Sequence, residues 1–366
     1  MRDALNRVAT VAVAMAAVTT GCLDVADERA RFDATVGQAQ TDAATIEVEE
    51  GQASIRALEP GRLELWAQAP TLTLHVTAAE GGVWEVRARN MLSDAVATRD
   101  GVALPVVAHP LPTEFTWSLE LEAGQRATVR IEPPDVDLRE PWRFVMYADV
   151  QDHIDAVQDI YATMRRYPDV RFGLISGDLT ESGTRGQMER FQREMETLPF
   201  PCYATLGNHE LGSDEHMFQR LYGRANSSFA FRGARFTLLD SASATIAPRV
   251  HDWLDGWLEA GRGGLHLVMM HIPPLDPVGF RNGAFASRSE ANALLARLAR
   301  ADVDMTVYGH VHSYYVYTNA GIDAFITGGG GAFPQRQDGI GRHFLLVEAD
   351  PEVERFTTSM IRVEPP

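Results

Sequence analysis

Hydrophobic and polar positions along this chain change their period once, near residue 141. Upstream, Leu72, Leu74 and Val76 alternate with Thr71, Thr73, His75 and Thr77, and the stretches Val83-Trp84-Glu85-Val86 and Phe115 to Ile131 repeat the pattern. A two-residue period sends successive side chains to opposite faces of a strand, and Gly81-Gly82 and Gly124 supply turns between strands. Residues 46–134 are therefore expected to form a small all-β sandwich, antiparallel, with Pro133-Pro134-Asp135 marking its end.

Downstream of Pro141, apolar runs alternate with helical periods. His153 to Tyr167 and Thr184 to Leu198 read as helices, and Val250 to Glu259 carries Trp253, Leu254, Trp257 and Leu258 on one face. Ser287-Arg288-Ser289-Glu290 spells a capping box that opens a helix to Ala301. Strands follow from Tyr314 through Ile326 and from His343 to Val347. The expected class is α/β (α+β): two facing mixed sheets flanked by helices over residues 141–360, preceded by the β-sandwich.

Five of the predicted strands end in the same way. Phe144 to Ala148 runs into Asp149, Phe172 to Ser176 into Gly177-Asp178, and Tyr203 to Leu206 into Gly207-Asn208-His209-Glu210; Leu265 to Met270 runs into His271, and Met305 to Tyr308 into Gly309-His310-Val311-His312. Open α/β sheets gather ligand-binding residues at the carboxyl ends of their strands, and carboxylate, amide and imidazole are hard or borderline metal ligands. His310 and His312 would face one way on an extended strand, or different ways if the chain turns tightly after Gly309. Either geometry brings both imidazoles to one site.

Composition narrows the partners. With 366 residues, 45% of them hydrophobic, the chain can bury a substantial core in two domains. A formal net charge of -17 argues against binding a nucleic-acid duplex, which needs a basic face. At the N-terminus, Arg2 and Arg7 precede an apolar run from Val8 to Val18, too short to span a bilayer, so residues 1–21 read as an export signal. Thr19-Thr20-Gly21-Cys22 resembles the lipobox of bacterial lipoproteins, although Thr19 stands where Leu is usual. That resemblance implies lipidation of Cys22, a membrane anchor and a place in the bacterial cell envelope, on its periplasmic or surface side. Residues 22–45, rich in Ala, Asp, Thr and Gln, are then expected to be a tether. Cys202 is left without a partner and is expected to be a buried small hydrophobe.

Taken together, Asp149, Gly177-Asp178, Gly207-Asn208-His209-Glu210, His271 and Gly309-His310-Val311-His312 resemble, in order and spelling, the five blocks of calcineurin-like metallophosphoesterases. The sandwich ahead of them resembles immunoglobulin or fibronectin type domains. The family resemblance implies a four-layer sandwich fold and two divalent metal ions, Mn, Fe or Zn. One ion would be held by Asp149, Asp178 and His312; the other by Asp178, Asn208, His271 and His310, with Asp178 bridging. It further implies hydrolysis of a phosphoester by a bridging hydroxide, with His209 as proton donor to the leaving oxygen. The substrate would be a small-molecule or nucleotide phosphoester, monoester and diester both being open. In the protein-phosphatase branch an orienting carboxylate stands three residues after the bridging Asp, which here is Glu181.

One block departs from the family. Asp149-Val150-Gln151 replaces the usual D-x-H, so an amide oxygen of Gln151 is expected at the first metal, a harder and weaker ligand that favours Mn, Fe or Mg over Zn. Arg281, in the polar loop after His271, is a candidate for substrate oxygens. Glu210 reads as a loop-fixing residue, Gly328 to Gly331 as close backbone packing, and His153, His251, His266 and His343 as structural. The rival to an enzyme is an envelope lipoprotein that has lost activity and serves as a binding module, with Gln151 as the first sign of that loss.

Overall fold

The computed structural model of the chain describes residues 23–364, apart from 213, 280–282 and 339. In the N-terminal part, the alternating stretches pair into two sheets. Gln38–Gln40, Ala44–Val48, Leu72–Ala78, Arg126–Glu132, Val96–Arg99 and Val102–Ala103 follow one another across the first. Ala53–Glu59, Arg62–Ala67, Gly82–Arg89, Glu114–Leu121 and Val106–Leu111 make the second. Their inward side chains, among them Leu65, Leu74, Val86, Trp117 and Val129, form one core. The pairing departs from the antiparallel expectation at one place among the described residues, where Arg62–Ala67 lies parallel to Gly82–Arg89.

Residues expected to be a tether are folded. Residues 23–33 form a helix whose Ala26 and Ala30 pack into the same core as Val250, Leu254 and Leu294. Its fully buried Arg29 donates from Nε to Asp240 Oδ2 at 2.8 Å and from Nη2 to Ser243 Oγ at 2.9 Å. Asp33 accepts from the main-chain N–H groups of Ala225 and Asn226 and from Asn226 Nδ2, at 2.8–3.0 Å. A face made of two alanines and two paired ions has no hydrophobic period, and buried charges of this kind are tolerable only because each finds its partner in the tertiary structure.

In the second part, Trp142–Tyr147, Val170–Ser176 and Cys202–Thr205 run parallel, with Cys202–Thr205 at the edge. His343–Asp350 and Arg355–Arg362 extend the same sheet on its other side, antiparallel. The facing sheet has Ala234–Leu239, Leu265–Met270, Met305–Tyr308 and Ile322–Thr327 in parallel, with Ser227–Phe231 and Tyr314–Asn319 as antiparallel edges. Phe144, Phe172 and Tyr203 from one sheet meet Phe229, Phe236 and Leu267 from the other. Helices Gln158–Met164 and Arg185–Met195 cover the outer face of the first sheet, and Pro248–Ala260 and Arg288–Arg300 that of the second. Two facing mixed sheets between helical layers is the arrangement expected from the change of period.

Two local expectations are corrected. The first helix is broken: His153, with φ -92° and ψ 20°, interrupts a 3-10 stretch over Gln151–Ala156, and the α-helix proper is only Gln158–Met164. At Ser287 the cap is one-sided, because Ser287 Oγ accepts from Glu290 N at 3.3 Å while Glu290 Oε1 takes Thr245 Oγ1 and Ile246 N instead.

The sandwich and the α/β part meet along the edge strand Cys202–Thr205. Asn90 accepts from Cys202 N at 2.9 Å and donates to Cys202 O at 2.7 Å. Gln68 does the same for Ala204, accepting from N at 3.2 Å and donating to O at 2.9 Å. Two side-chain amides thus stand in for the missing neighbouring strand and cover an edge that would otherwise expose unpaired backbone groups. Cys202 itself is buried, and burial pushes its thiol up to about 12.

Candidate metal centre

Three of the five strands named above as ligand carriers turn sharply where they deliver their polar residues. Asp149, Gln151, Asp178 and His310 all lie in the left-handed region, with φ of 64°, 51°, 52° and 67°. Such backbone costs about 1–3 kcal/mol per residue and persists where the surroundings fix it. Here main-chain bonds do so: Asp149 N reaches Gly177 O, Val150 N reaches Asp178 O, and Gly309 N reaches His271 O, at 2.9–3.2 Å. Gly207 has to be a glycine, since a Cβ there would run into Asp178 Oδ1.

These turns collect the donors into two groups that share one residue. Ligand atoms of Asp178, His271 and His310 lie within 4.8 Å of one another, and so do those of Asp149, Asp178 and His312. Asn208 joins the first group, with Oδ1 at 3.1 Å from His271 Nε2. The short turn through Val311, with Val311 N on Gly309 O at 2.8 Å, sends His310 and His312 to different groups.

The donor atoms face inward because their backs are held. His271 Nδ1 donates to Ser176 O at 2.7 Å, and His312 Nδ1 donates to Phe333 O at 2.8 Å. His271 Nε2 is then directed at Asn208 Oδ1 and at Asp178 Oδ2, 3.2 Å away. Three electron-rich atoms converge on one point, which only positive charge can reconcile. A proton on Nε2 can serve one oxygen well; a cation can serve all three, and carbonyl, carboxylate and imidazole are the donors a divalent first-row metal takes.

The electrostatics express the same demand. Burial works against a charged His271, yet Asp178 beside it outweighs burial and pushes the imidazole up to about 9. Burial likewise opposes ionisation of Asp178, but His271 and His209 hold its carboxyl well below the usual range. Burial, with His271 adding repulsion, takes His310 down to about 4.

A family model for calcineurin-like phosphoesterases matches residues 143–314, which contain all of these donors. Over those residues the chain is similar to the calcineurin-like phosphoesterase family.

The phosphoesterase segment is 27% identical over 177 residues to a 3',5'-cyclic-nucleotide phosphodiesterase of Nostoc sp., a match covering 44% of this chain and 65% of that protein. A Synechococcus sp. protein named "Probable cyclic nucleotide phosphodiesterase" is 28% identical over 168 residues, covering 42% of this chain and 61% of that protein. The chain therefore spans a little under two thirds of the curated relatives it matches. Among solved structures, a dimetal phosphatase from Danio rerio aligns with a TM-score of 0.46 and 15% identity, covering 61% of this chain and 99% of that one.

In this phosphoesterase segment two expected site residues behave differently from their reading. Gln151 turns its amide nitrogen, not its oxygen, inward, donating to Asp178 Oδ2 at 2.9 Å and facing His312 Nε2 at 3.2 Å. It acts as a donor because Asp178 and His312 both present lone pairs; a half-turn of the amide would bring Oε1 to the same point. Glu181 does not orient His209 through its carboxylate. Its main-chain oxygen accepts from His209 Nδ1 at 2.8 Å, while the half-exposed carboxylate stands 3.6 Å away. A carbonyl fixed by the loop holds the ring without ordering a solvated side chain.

Glu210 fixes the loop, accepting from Gly207 N, Thr180 N and Thr180 Oγ1 at 2.8–3.1 Å. Gly328–Gly331 packs closely behind the site, where side chains would collide with Val311, His343, Ala148 and His153. His153 pairs with Asp152 at 2.7 Å, His266 with Thr237 at 2.8 Å and His343 with the Gly341 carbonyl at 2.8 Å. Arg281 and Cys22 lie outside the described residues. The sequence reading missed Gln68, Asn90, Arg29 and Asp33, which hold the site's framework from distant parts of the chain.

Proposed function

We propose that this chain is a metal-dependent phosphoester hydrolase with a dinuclear centre, Asp178 bridging. The observation that carries it is the sharing of Asp178 by both donor groups: one buried carboxylate, whose Oδ2 faces both His271 and Gln151. Asp149 and His312 would complete one site, and Asn208, His271 and His310 the other. Divalent cations held there would neutralise charge on a phosphoryl group and lower the pKa of a bound water.

The chain's own groups supply the rest. His209 is partly exposed at the rim, and its Nδ1 is committed to Glu181 O, so Nε2 faces the site, 3.9 Å from Asp178 Oδ2. Protonated at Nε2 as well, the ring is placed to act as a general acid and give that proton to a leaving oxygen. Gln151 steadies Asp178 and His312, reaching the same Asp178 oxygen that faces His271. The names of the two cyanobacterial relatives support a phosphodiester, cyclic nucleotides included, as the substrate class.

Hydrolysis of bis-p-nitrophenyl phosphate and p-nitrophenyl phosphate is measured on metal-depleted protein and after return of Mn, Fe or Zn. The expected result is restored activity with about two metal ions per chain, and loss of both with Asp178→Asn. Activity on neither substrate with metal bound would favour the binding-module reading instead.

A further inference from the structure

Phe333 is an anomaly of exposure. Among the described residues it is the one aromatic in the set of large apolar side chains left open to solvent, at 73%. Its backbone, in contrast, is tightly held at the metal-centre rim. The preceding Ala332 N donates to Asp149 O at 2.8 Å, Phe333 O accepts from His312 Nδ1 at 2.8 Å, and Gln335 N donates to His312 O at 2.9 Å. The ring meets His153 edge to face, with centroids 5.7 Å apart. Together they line an open groove of about 620 Å³ whose exposed surface is mainly apolar, edged by Arg362, Glu364 and Arg342, the last of these paired with Asp159.

A solvated aromatic face beside the candidate metal centre is a poor way to fold a loop and a good way to hold a planar ring. The volume is that of a small-molecule subsite. Position selects which part of the substrate it takes. His209, the leaving-group acid, sits by Asn208 and Asp178, whereas Phe333 is tied to His312 in the other donor group. We infer that Phe333 and the groove beside it bind the planar aromatic ring, a nucleobase in the first instance, of the ester group that stays on phosphorus. The inference rests on the phosphoester reading, and it makes Phe333 a specificity residue that favours nucleoside diesters over simple alkyl ones.

Two substrates with the same leaving group test it: thymidine 5'-p-nitrophenyl phosphate, which carries a base on the retained group, and methyl p-nitrophenyl phosphate, which does not. With metal-loaded protein, Phe333→Ala should raise KM for the first by about fivefold to tenfold, the lower range of one base–aromatic stack, with kcat held. The methyl ester should be unaffected, and Phe333→Trp should restore the wild-type preference. Equal effects on both substrates, or on neither, overturn the inference. Calorimetric binding of thymidine 5'-monophosphate against inorganic phosphate provides a readout without turnover. Weakened nucleotide binding in Phe333→Ala with phosphate binding unchanged supports the subsite even where neither ester is hydrolysed, a result that would sink the hydrolase reading alone. Hydrolysis without any nucleotide selectivity sinks the subsite alone, and absence of both sinks both.

Discussion

Gln68 lies in the sandwich, far in sequence from any proposed ligand, yet it holds the edge of the strand that delivers Asn208 and His209. Its buried amide makes two bonds to Ala204, one in each direction, and Gly223 closes against its stem. Gln68→Ala would leave the N–H and C=O of Ala204 facing an apolar gap. An orphaned buried polar group costs about 1–3 kcal/mol, so the strand edge should lose about 2–4 kcal/mol, allowing for water entering the space vacated. Hydrogen exchange of the peptide containing residues 202–206 reads this locally. Where exchange follows local opening, that loss speeds it by about 30-fold or more, at 1.4 kcal/mol per factor of ten. Gln68→Glu sharpens the test, because it keeps the shape and the acceptor but sets a carboxylate against Ala204 O. Burial raises the folded-state pKa of such a group above its unfolded value of about 4.3. The variant's stability should therefore be greatest in acid, where the protonated carboxyl can donate, and fall as pH rises through the folded-state pKa. Exchange in Gln68→Ala indistinguishable from wild type, with Gln68→Glu insensitive to pH, would refute the role assigned to this edge.

Two further outcomes are expected, one from the geometry at His209 and one from the sequence before Cys22. Because the main-chain oxygen of Glu181, not its carboxylate, holds His209, Glu181→Ala should change kcat by less than about threefold, whereas His209→Ala should lower it by about 10²–10⁴ with both metals retained. Steady-state kinetics with metal analysis of each variant checks this, and a loss in Glu181→Ala as large as that in His209→Ala would restore the carboxylate to the role. Lipidation of Cys22, proposed from the lipobox-like stretch before it, predicts that labelled palmitate is incorporated by the bacterial host into the wild-type chain and not into Cys22→Ser; unlabelled wild type would rule the anchor out.

The candidate metal donors that the fold gathers were legible in the sequence because strand, turn and polar residue are contiguous there. A buried apolar run must stop somewhere, and Asp, Asn or His stands at five successive stops, directly after a glycine at three of them, so that the purpose is stated within four residues. The two-sheet layout was legible for a similar reason, since period 2 and period 3.6 are properties of neighbouring residues. What the sequence could not state is anything settled by a partner far along the chain. Residues 23–33 looked like a tether because Arg29 and Asp33 read as solvated until Asp240 and Asn226 are seen beside them. Gln68 and Asn90 looked like ordinary polar positions in a β region, and only the docking of the sandwich on Cys202–Thr205 turns them into substitutes for a strand. Gln151 shows the limit most clearly. Its place in the first block follows from spacing alone, but which end of its amide faces inward depends on the lone pairs that Asp178 and His312 bring from elsewhere in the fold. Local order determined where the ligands would be; long-range hydrogen bonding and charge decided how each is held, because those energies exist only once the two sheets and the sandwich have met.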